Sequence, residues 1–233
     1  MKAFLLAAGL GSRLRPLTND VPKCMVPIDG RPMLDIWLDA LDGAGVDEVL
    51  VNLHYLPEIV SAHIASRVGP PVVRTFFEPE LLGSAGTLIA NREWVAEEEF
   101  FLVCYADNLT DFDLTTLVDA QRQRAGIATW SVFRSENPRA GGVVELDGAG
   151  RVIGFVEKPS EPVSDLTNAG MYAFQPSVLA EIAAKMPCDI GYDLLPRLVG
   201  RSYAVQVEGY FRDIGTIDAY HRARKEWPAV AAR

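Results

Sequence analysis

Residues 9–23 hold the densest set of groups able to do chemistry in this chain: Gly9-Leu10-Gly11-Ser12-Arg13-Leu14-Arg15-Pro16-Leu17-Thr18, with Pro22-Lys23 shortly after. Gly9 and Gly11 lack a Cβ, so their backbone N–H groups can come close to an anion. Arg13 adds a planar fork suited to phosphate oxygens, and Lys23 a point charge fixed in direction by Pro22. Together they read as a phosphate cradle. Two familiar cradles fail on sequence. A dinucleotide fingerprint needs a third glycine three residues after Gly11, where Leu14 stands, and a P-loop needs G-x-x-x-x-G-K-[ST], which is absent. A tight strand-to-helix turn with surface arginines is the plain alternative. It suits Gly9 and Gly11 alone better than it suits them with Arg13, Arg15 and Pro22-Lys23 added.

A cradle of this kind needs a strand in front of it, because ligands of open α/β sheets bind outside the carboxyl ends of the strands. The apolar run Lys2–Ala8 supplies one. Met1-Lys2 followed by Phe4 to Leu10 also has the outline of a short signal peptide, but Arg13 and Arg15 follow at once and no good cleavage site appears. Pro32 opens a helical pattern with Leu34, Leu38 and Leu41 on one face, closed by Gly43 and Gly45. Val46–Leu53 reads as a strand, Pro57–Val68 as a helix, Pro71–Phe77 as a strand and Ser84 to Val95 as a helix. Phe100–Ala106 has the continuous apolar character of a central strand buried on both faces, and Leu114–Gln123 is helical. This rhythm predicts an open, mainly parallel α/β sheet.

After Ile127 the rhythm changes. Val143–Leu146, the turn Asp147-Gly148 and Val152–Val156 look like a hairpin. Asn168–Phe174 is a strand, Ser177–Lys185 a helix, Tyr203–Val207 a strand, and a last helix runs from Ile217. We therefore expect one α/β domain over 1–233 with a Rossmann-like mixed, mainly parallel sheet flanked by helices. Residues 1–125 form the first half and residues 126–233 a small strand-rich portion with a closing helix.

The 233 residues carry 22 Lys+Arg against 31 Asp+Glu, a net charge of −9, with 49% hydrophobic and 23% charged residues. That is the composition of a globular chain, not a disordered one, and the acidity argues against nucleic acid as a partner. Cys24, Cys104 and Cys188 are odd in number and widely spaced, which argues against a disulfide framework or a structural zinc site. No apolar run approaches the roughly 18 residues of a membrane helix. The expectation is a cytoplasmic protein with no membrane partner. A homo-oligomer stays open, since an apolar helix face can serve a core or a dimer contact equally well.

The loop Gly9–Thr18 followed by Pro22-Lys23-Cys24-Met25-Val26-Pro27-Ile28-Asp29-Gly30-Arg31-Pro32-Met33-Leu34 resembles the signature of the sugar-1-phosphate nucleotidyltransferases, the nucleotide-sugar pyrophosphorylases. Further motifs of that family recur in order: Leu82-Gly83-Ser84-Ala85-Gly86, Tyr105-Ala106-Asp107, Glu157-Lys158-Pro159, Asn168-Ala169-Gly170-Met171-Tyr172 and Asp213-Ile214-Gly215-Thr216. Each is weak alone; the ordered set, spanning nearly the whole chain, is specific. The resemblance implies a GT-A-like nucleotidyltransferase fold and a reaction that joins a sugar 1-phosphate to a nucleoside triphosphate, releasing pyrophosphate. The attacking phosphate monoester is already ionised near neutral pH, its second pKa being about 6, so no general base is required. The three histidines, His54, His63 and His221, are scattered with no partner spacing, which agrees.

By the same resemblance Arg13 holds the leaving pyrophosphate with the N–H groups of Gly11 and Ser12, and Lys23 steadies the α-phosphate. Asp107 and Asp213 match the two carboxylates that hold Mg²⁺, a hard cation suited to carboxylate and phosphate oxygens. Glu157 accepts sugar hydroxyls, Lys158 pairs with the sugar phosphate, and Asn168 and the backbone of Gly142 bind further hydroxyls. Base recognition falls on Leu82, Gly83, Ala85 and Gly86, with Ala8 and Gly9 on the other side and Asn52 nearby. The Leu-Gly-Ser-Ala-Gly form is closest to members that use GTP with mannose or heptose 1-phosphate. A uridylyl- or thymidylyltransferase, or a non-catalytic nucleotide-sugar-binding subunit, is the alternative. Two departures stand out: Ala106 replaces a frequent glycine before Asp107, and Cys24 a frequent proline after Lys23, which would make the enzyme sensitive to thiol reagents. The chain ends soon after Glu226, without length for the β-helix or regulatory extension of larger relatives. Charge is also unevenly spread: residues 1–31 carry a net +3 and the remainder −12. Positive charge thus gathers at the cradle.

Overall fold

The structure, a computed structural model, describes residues 1–182 and 185–231. In chain order the strands are β1 (Lys2–Leu6), β2 (Pro27–Ile28), β3 (Arg31–Pro32), β4 (Glu48–Leu53), β5 (Val72–Phe77), β6 (Phe101–Tyr105), β7 (Asn108–Thr110), β8 (Ala128–Arg134), β9 (Gly142–Leu146), β10 (Val152–Glu157), β11 (Leu166–Phe174), β12 (Ser202–Gln206) and β13 (Phe211–Asp213). The α-helices are α1 (Met33–Gly43), α2 (Pro57–Ser66), α3 (Ser84–Ala90), α4 (Thr115–Gln123), α5 (Leu195–Leu198) and α6 (Ile217–Ala231). They group into two compact units. The first takes Met1–Leu81, Cys104–Leu114 and the chain from Gly209 onward; the second takes Leu82–Val103 and Thr115–Glu208.

In the first unit β1 pairs parallel with β4, and β4 with β5, placing Phe4 opposite Leu50 and Leu50 opposite Arg74. Ala3, Phe4, Leu5, Val49 and Val51 are fully buried, as expected of strands covered on both faces. The face predicted for α1 is the one that packs: Leu34, Leu38 and Leu41 are buried, joined by Met33 and Trp37. A second buried cluster takes in residues from the loop after β1 and from α6. Leu14, Val26, Ile28, Met33, Leu109, Ile214, Tyr220, Ala223 and Trp227 form it. Burying one such leucine is worth about 1.5–3 kcal/mol, enough to pin the loop that carries it. Tyr220 Oη donates to Pro27 O at 3.0 Å, tying α6 to β2.

The second unit is rich in strands. β10 and β9 form the expected hairpin, Phe155 opposite Val144 and Glu157 opposite Gly142. Its connection is longer than the two-residue Asp147-Gly148 turn: Asp147 Oδ1 accepts from the N–H groups of Ala149 and Arg151, both at 2.9 Å, and closes a wider loop. β11 runs antiparallel to β8, and β12 parallel to β8. An aromatic core holds them, with Tyr172 stacked on Phe174 at 5.0 Å and Trp130 edge-on to Phe155 at 5.6 Å. The α/β class with a mixed sheet, flanking helices and a strand-rich part is therefore the architecture expected.

Two helices differ from expectation. The Ser84–Val95 helix stops at Ala90, because Asn91 turns its side chain back to Thr87 O at 2.9 Å and a 3₁₀ turn, Arg92–Val95, follows. The Ser177–Lys185 helix is a 3₁₀ turn over Pro176–Glu181, and residues 183–184 lie outside the described part. Among the described residues no helix is long and apolar enough to cross a membrane.

Candidate active site

The first unit builds the cradle from the end of β1. Gly11 sits at φ +62°, where the backbone favours glycine, and a Cβ there would sit tightly, 3.0 Å from Thr18 Cγ2 and 3.3 Å from Lys23 Cβ. Thr18 Oγ1 donates to Gly11 O at 2.7 Å, and Leu14 N–H donates to the same carbonyl at 2.9 Å. The loop therefore folds on Gly11. With Leu14 buried, Ser12, Arg13 and Arg15 are left exposed. Gly9 differs: a Cβ there would meet nothing within 4 Å. The protein's own packing does not ask for a glycine at that point.

Lys23 is buried, as are Cys24 and Val26 just after it, and its Nζ lies 2.6 Å from Asp107 Oδ2. Asp107 follows β6, where Ala106 N–H donates to Leu6 O at 3.0 Å and so registers the acid beside the end of β1. Trp37 Nε1 donates to Asn108 O at 2.8 Å and fixes the next residue. β13 then pairs antiparallel with β7, with Asp213 opposite Asn108, and Ile214 N–H donates to Asp107 O at 2.8 Å. Two acids far apart in sequence are thereby neighbours. Burial of the Asp213 carboxyl first, and the negative charge of Asp107 second, raise it above the usual Asp value, against the pull of Lys23 and Arg13. Because Asp213 as a residue still reaches solvent, repulsion from Asp107 is the more durable cause. Gly215 leaves room here: a Cβ on it would lie 2.9 Å from Asp213 Oδ1 and 3.1 Å from Arg13 Nη2. Arg13, Lys23, Asp107 and Asp213 thus converge.

Among the described residues no group of three or more His, Cys, Asp or Glu could hold a metal ion. Two carboxylates suit Mg²⁺ all the same, since that ion takes one or two protein carboxylates and completes its shell with water and phosphate oxygens. The raised Asp213 carboxyl marks negative charge that a cation would relieve.

Asn52 has a structural job within the protein. Its Oδ1 accepts from Ala7 N–H at 2.6 Å and its Nδ2 donates to Glu78 Oε1 at 2.9 Å, with both side chains buried. It braces the exit of β1, just ahead of the buried Ala8. Cys24 does not show the expected exposure to thiol reagents. It is 2% exposed, and burial pushes its thiol up to about 12, so neither access nor thiolate is present for a thiol reagent.

In the second unit Leu82–Gly86 forms the entry to α3 and docks on residues 188–190. Ala85 and Gly86 N–H both donate to Cys188 O, at 3.1 and 3.3 Å, and Cys188 N–H donates to Leu82 O at 3.0 Å. Gly83 lies at φ +79°, and a Cβ would run into Cys188 O. Leu82 and Gly83 keep partial exposure, whereas Ala85 and Gly86 are buried.

Glu157 ends β10 with its carboxyl between two glycines. A Cβ on Gly142 or on Gly191 would each lie 2.7 Å from Glu157 Oε2. Burial raises this carboxyl above the usual Glu value, and Asp189 adds to the rise, while Lys158 opposes it. Lys158 Nζ stands 4.0 Å from Glu157 Oε1 and over the Tyr192 ring at 5.9 Å from its centre. Asn168 is turned to the protein: its Nδ2 donates to Tyr172 Oη and its Oδ1 accepts from Gly170 N–H. Gly142, Glu157 and Lys158 are therefore brought together, with Asn168 engaged at a β-bulge in β11. Sequence reasoning missed Asp189, Gly191 and Tyr192. Their only signal is an Asp-Ile-Gly-Tyr-Asp run with neither strand nor helix periodicity.

The nucleotidyl transferase family model matches residues 2–229. UTP–glucose-1-phosphate uridylyltransferase of Synechocystis sp. is 35% identical over 96% of this chain and 62% of its own length. Mannose-1-phosphate guanylyltransferase catalytic subunit beta of Danio rerio is 36% identical over 92% of this chain and 61% of its own. The chain thus spans less than two thirds of these curated relatives. Among solved structures, HddC from Yersinia pseudotuberculosis has a TM-score of 0.80 at 25% identity, covering 97% of this chain and 99% of that one, and is also known complexed with GMP-PN. A family match over residues 2–229 thus accompanies a glycine-bearing loop set beside paired carboxylates, and the chain belongs to the nucleotidyl transferase family.

Proposed function

We propose that the chain joins a sugar 1-phosphate to a nucleoside triphosphate, giving a nucleotide-diphosphate sugar and pyrophosphate, with GTP as the preferred triphosphate. The convergence of Arg13, Lys23, Asp107 and Asp213 carries this reading. An oxygen of the sugar phosphate attacks the α-phosphorus; that P–O bond forms as the bond to the β-phosphate oxygen breaks, and the electron pair leaves with pyrophosphate. No proton has to be removed from the nucleophile. The task is to position crowded anions and offset their charge.

Arg13, exposed and able to fork onto two oxygens, takes the leaving pyrophosphate, with the N–H groups of Gly11 and Ser12 beside it. Lys23 serves the α-phosphate, and its pairing with Asp107 keeps the buried ammonium aimed until substrate arrives. Asp107 and Asp213 are the residues that would hold Mg²⁺, which would add to the neutralisation of the triphosphate. The open space at Gly9 supports close approach of the nucleotide to the backbone. Glu157, the backbone of Gly142 and Asn168 serve the sugar hydroxyls, and Lys158 its phosphate. Leu82–Gly86 serve the base, a role also proposed for Ala8.

Guanine is favoured by the Leu-Gly-Ser-Ala-Gly segment, by likeness to the Danio rerio guanylyltransferase and by the GMP-PN complex of HddC. The Synechocystis relative makes a uridylyltransferase the second reading. Initial rates with GTP, UTP, dTTP and ATP against mannose, heptose and glucose 1-phosphates separate the two. GTP should exceed the others by about tenfold or more in kcat/KM, the discrimination a base-contacting loop can supply. UTP or dTTP leading the panel would overturn the guanine preference.

A further inference from the structure

The turn that follows Asp189 is wound unusually. Leu195 N–H donates to Ile190 O, closing one π-type turn over Ile190–Leu194, a rare form that is frequent at functional sites. Asp189 fixes its start: Oδ1 accepts from Gly191 N–H at 2.8 Å and Oδ2 accepts from Ser84 Oγ at 2.8 Å. Asp193 Oδ2 in turn accepts from Asp189 N–H at 2.6 Å. The turn brings Gly191 against the Glu157 carboxyl and presents Tyr192 with 57% of its surface open. A large aromatic ring held that exposed, beside a half-buried carboxylate and a lysine, is not there for packing. One side of the ring already attracts the Lys158 ammonium.

From this geometry we propose that Tyr192 is a further binding residue for the sugar 1-phosphate, its ring the apolar platform for the C–H face of a pyranose whose hydroxyls meet Glu157. The inference rests on the sugar role proposed above for Glu157 and Lys158. Chemistry fits the three groups: a sugar presents hydroxyls to a carboxylate, phosphate oxygens to an ammonium, and an apolar face to an aromatic ring. Asp189 acts as a positioning residue, holding the turn through Gly191 and Ser84 without touching substrate.

The test varies mannose 1-phosphate in steady-state kinetics with Tyr192→Ala and Tyr192→Phe. Because the ring is exposed, neither change should move Tm by more than about 2 °C. Tyr192→Ala should raise KM for the sugar phosphate about tenfold and leave KM for the triphosphate within about twofold, whereas Tyr192→Phe, which keeps the ring, should behave like the unaltered protein. An unchanged sugar KM, or equal rises in both KM values, would overturn the proposal. A calorimetric comparison of mannose 1-phosphate with inorganic phosphate reads the same point without turnover. The unaltered protein should bind the sugar phosphate more tightly than phosphate, and Tyr192→Ala should erase that margin. Loss of the margin in a protein that turns nothing over would leave the platform standing and sink the reaction. A margin equal in both proteins, or absent from the unaltered one, would sink the platform.

Discussion

Asp107→Asn is expected to lower kcat by about 10³-fold while the chain stays folded. The side chain keeps its shape and an oxygen able to accept from Lys23, but it loses the charge that pairs with the buried ammonium and that, in the proposed reaction, would help to bind the cation. Its own partial exposure softens the structural cost. The Asp107 side chain is 37% exposed, so water screens part of the ion pair, and a loss of about 1 kcal/mol is the scale for stability. That corresponds to roughly 2–4 °C in Tm for a chain of this size. Asp213→Asn should act alike, and the double variant should be little worse than either single one, because the two carboxylates work as a unit. Differential scanning calorimetry beside the rate measurement checks both halves. Near-normal turnover by Asp107→Asn would contradict the role assigned to the cluster.

Gly83→Ala carries the largest expected cost in stability, roughly 3–5 kcal/mol. Two penalties add at this one position. A side chain at φ +79° is strained by about 1–3 kcal/mol. Its Cβ would also displace Cys188 O, the carbonyl that satisfies the N–H groups of Ala85 and Gly86 at the start of α3, and each such bond is worth about 1 kcal/mol. Tm should fall by about 10 °C or more. Gly9→Ala is the control, since a methyl there meets open space and should leave Tm within about 1 °C. A Gly83→Ala protein melting with the unaltered chain would show that α3 does not dock on Cys188 in the way described.

The cradle was legible in sequence because its chemistry is local. Gly11, Arg13 and Lys23 lie within one short stretch, and the strand ahead of them announces itself by an unbroken apolar run. The helix α1 was legible for the same reason, through Leu34, Leu38 and Leu41 at helical spacing. What residues could do one by one was also readable: Asp107 and Asp213 stood out as carboxylates at motif positions. That they meet was not, because the pairing of β7 with β13 joins two three-residue strands too short to show a period. Gly83 looked like a glycine at a helix start, whereas its reason is a carbonyl from Cys188, far along the chain. The bonds of Asn52 to Ala7 and Glu78 have no sequence signal either, because they depend on neighbours brought by the parallel sheet. The π-type turn that presents Tyr192 has no sequence period at all, so neither Asp189 nor Tyr192 is marked by the sequence alone.

The chain's two units also cut across its length. The segment from Gly209 onward returns to the unit that begins at Met1, and Leu82–Val103 belongs with the later strands. This return has a chemical consequence. It carries Asp213 and Gly215 to Arg13 and Asp107, and Ile214 into the buried cluster that also holds Leu14.

The most direct measurement is pyrophosphate release with each component left out in turn. Release is expected only when sugar 1-phosphate, triphosphate and Mg²⁺ are present together, with one pyrophosphate formed per nucleotide sugar and loss of the signal in Asp107→Asn. Release without the sugar phosphate, or none with any pair of substrates, would contradict the proposed transfer.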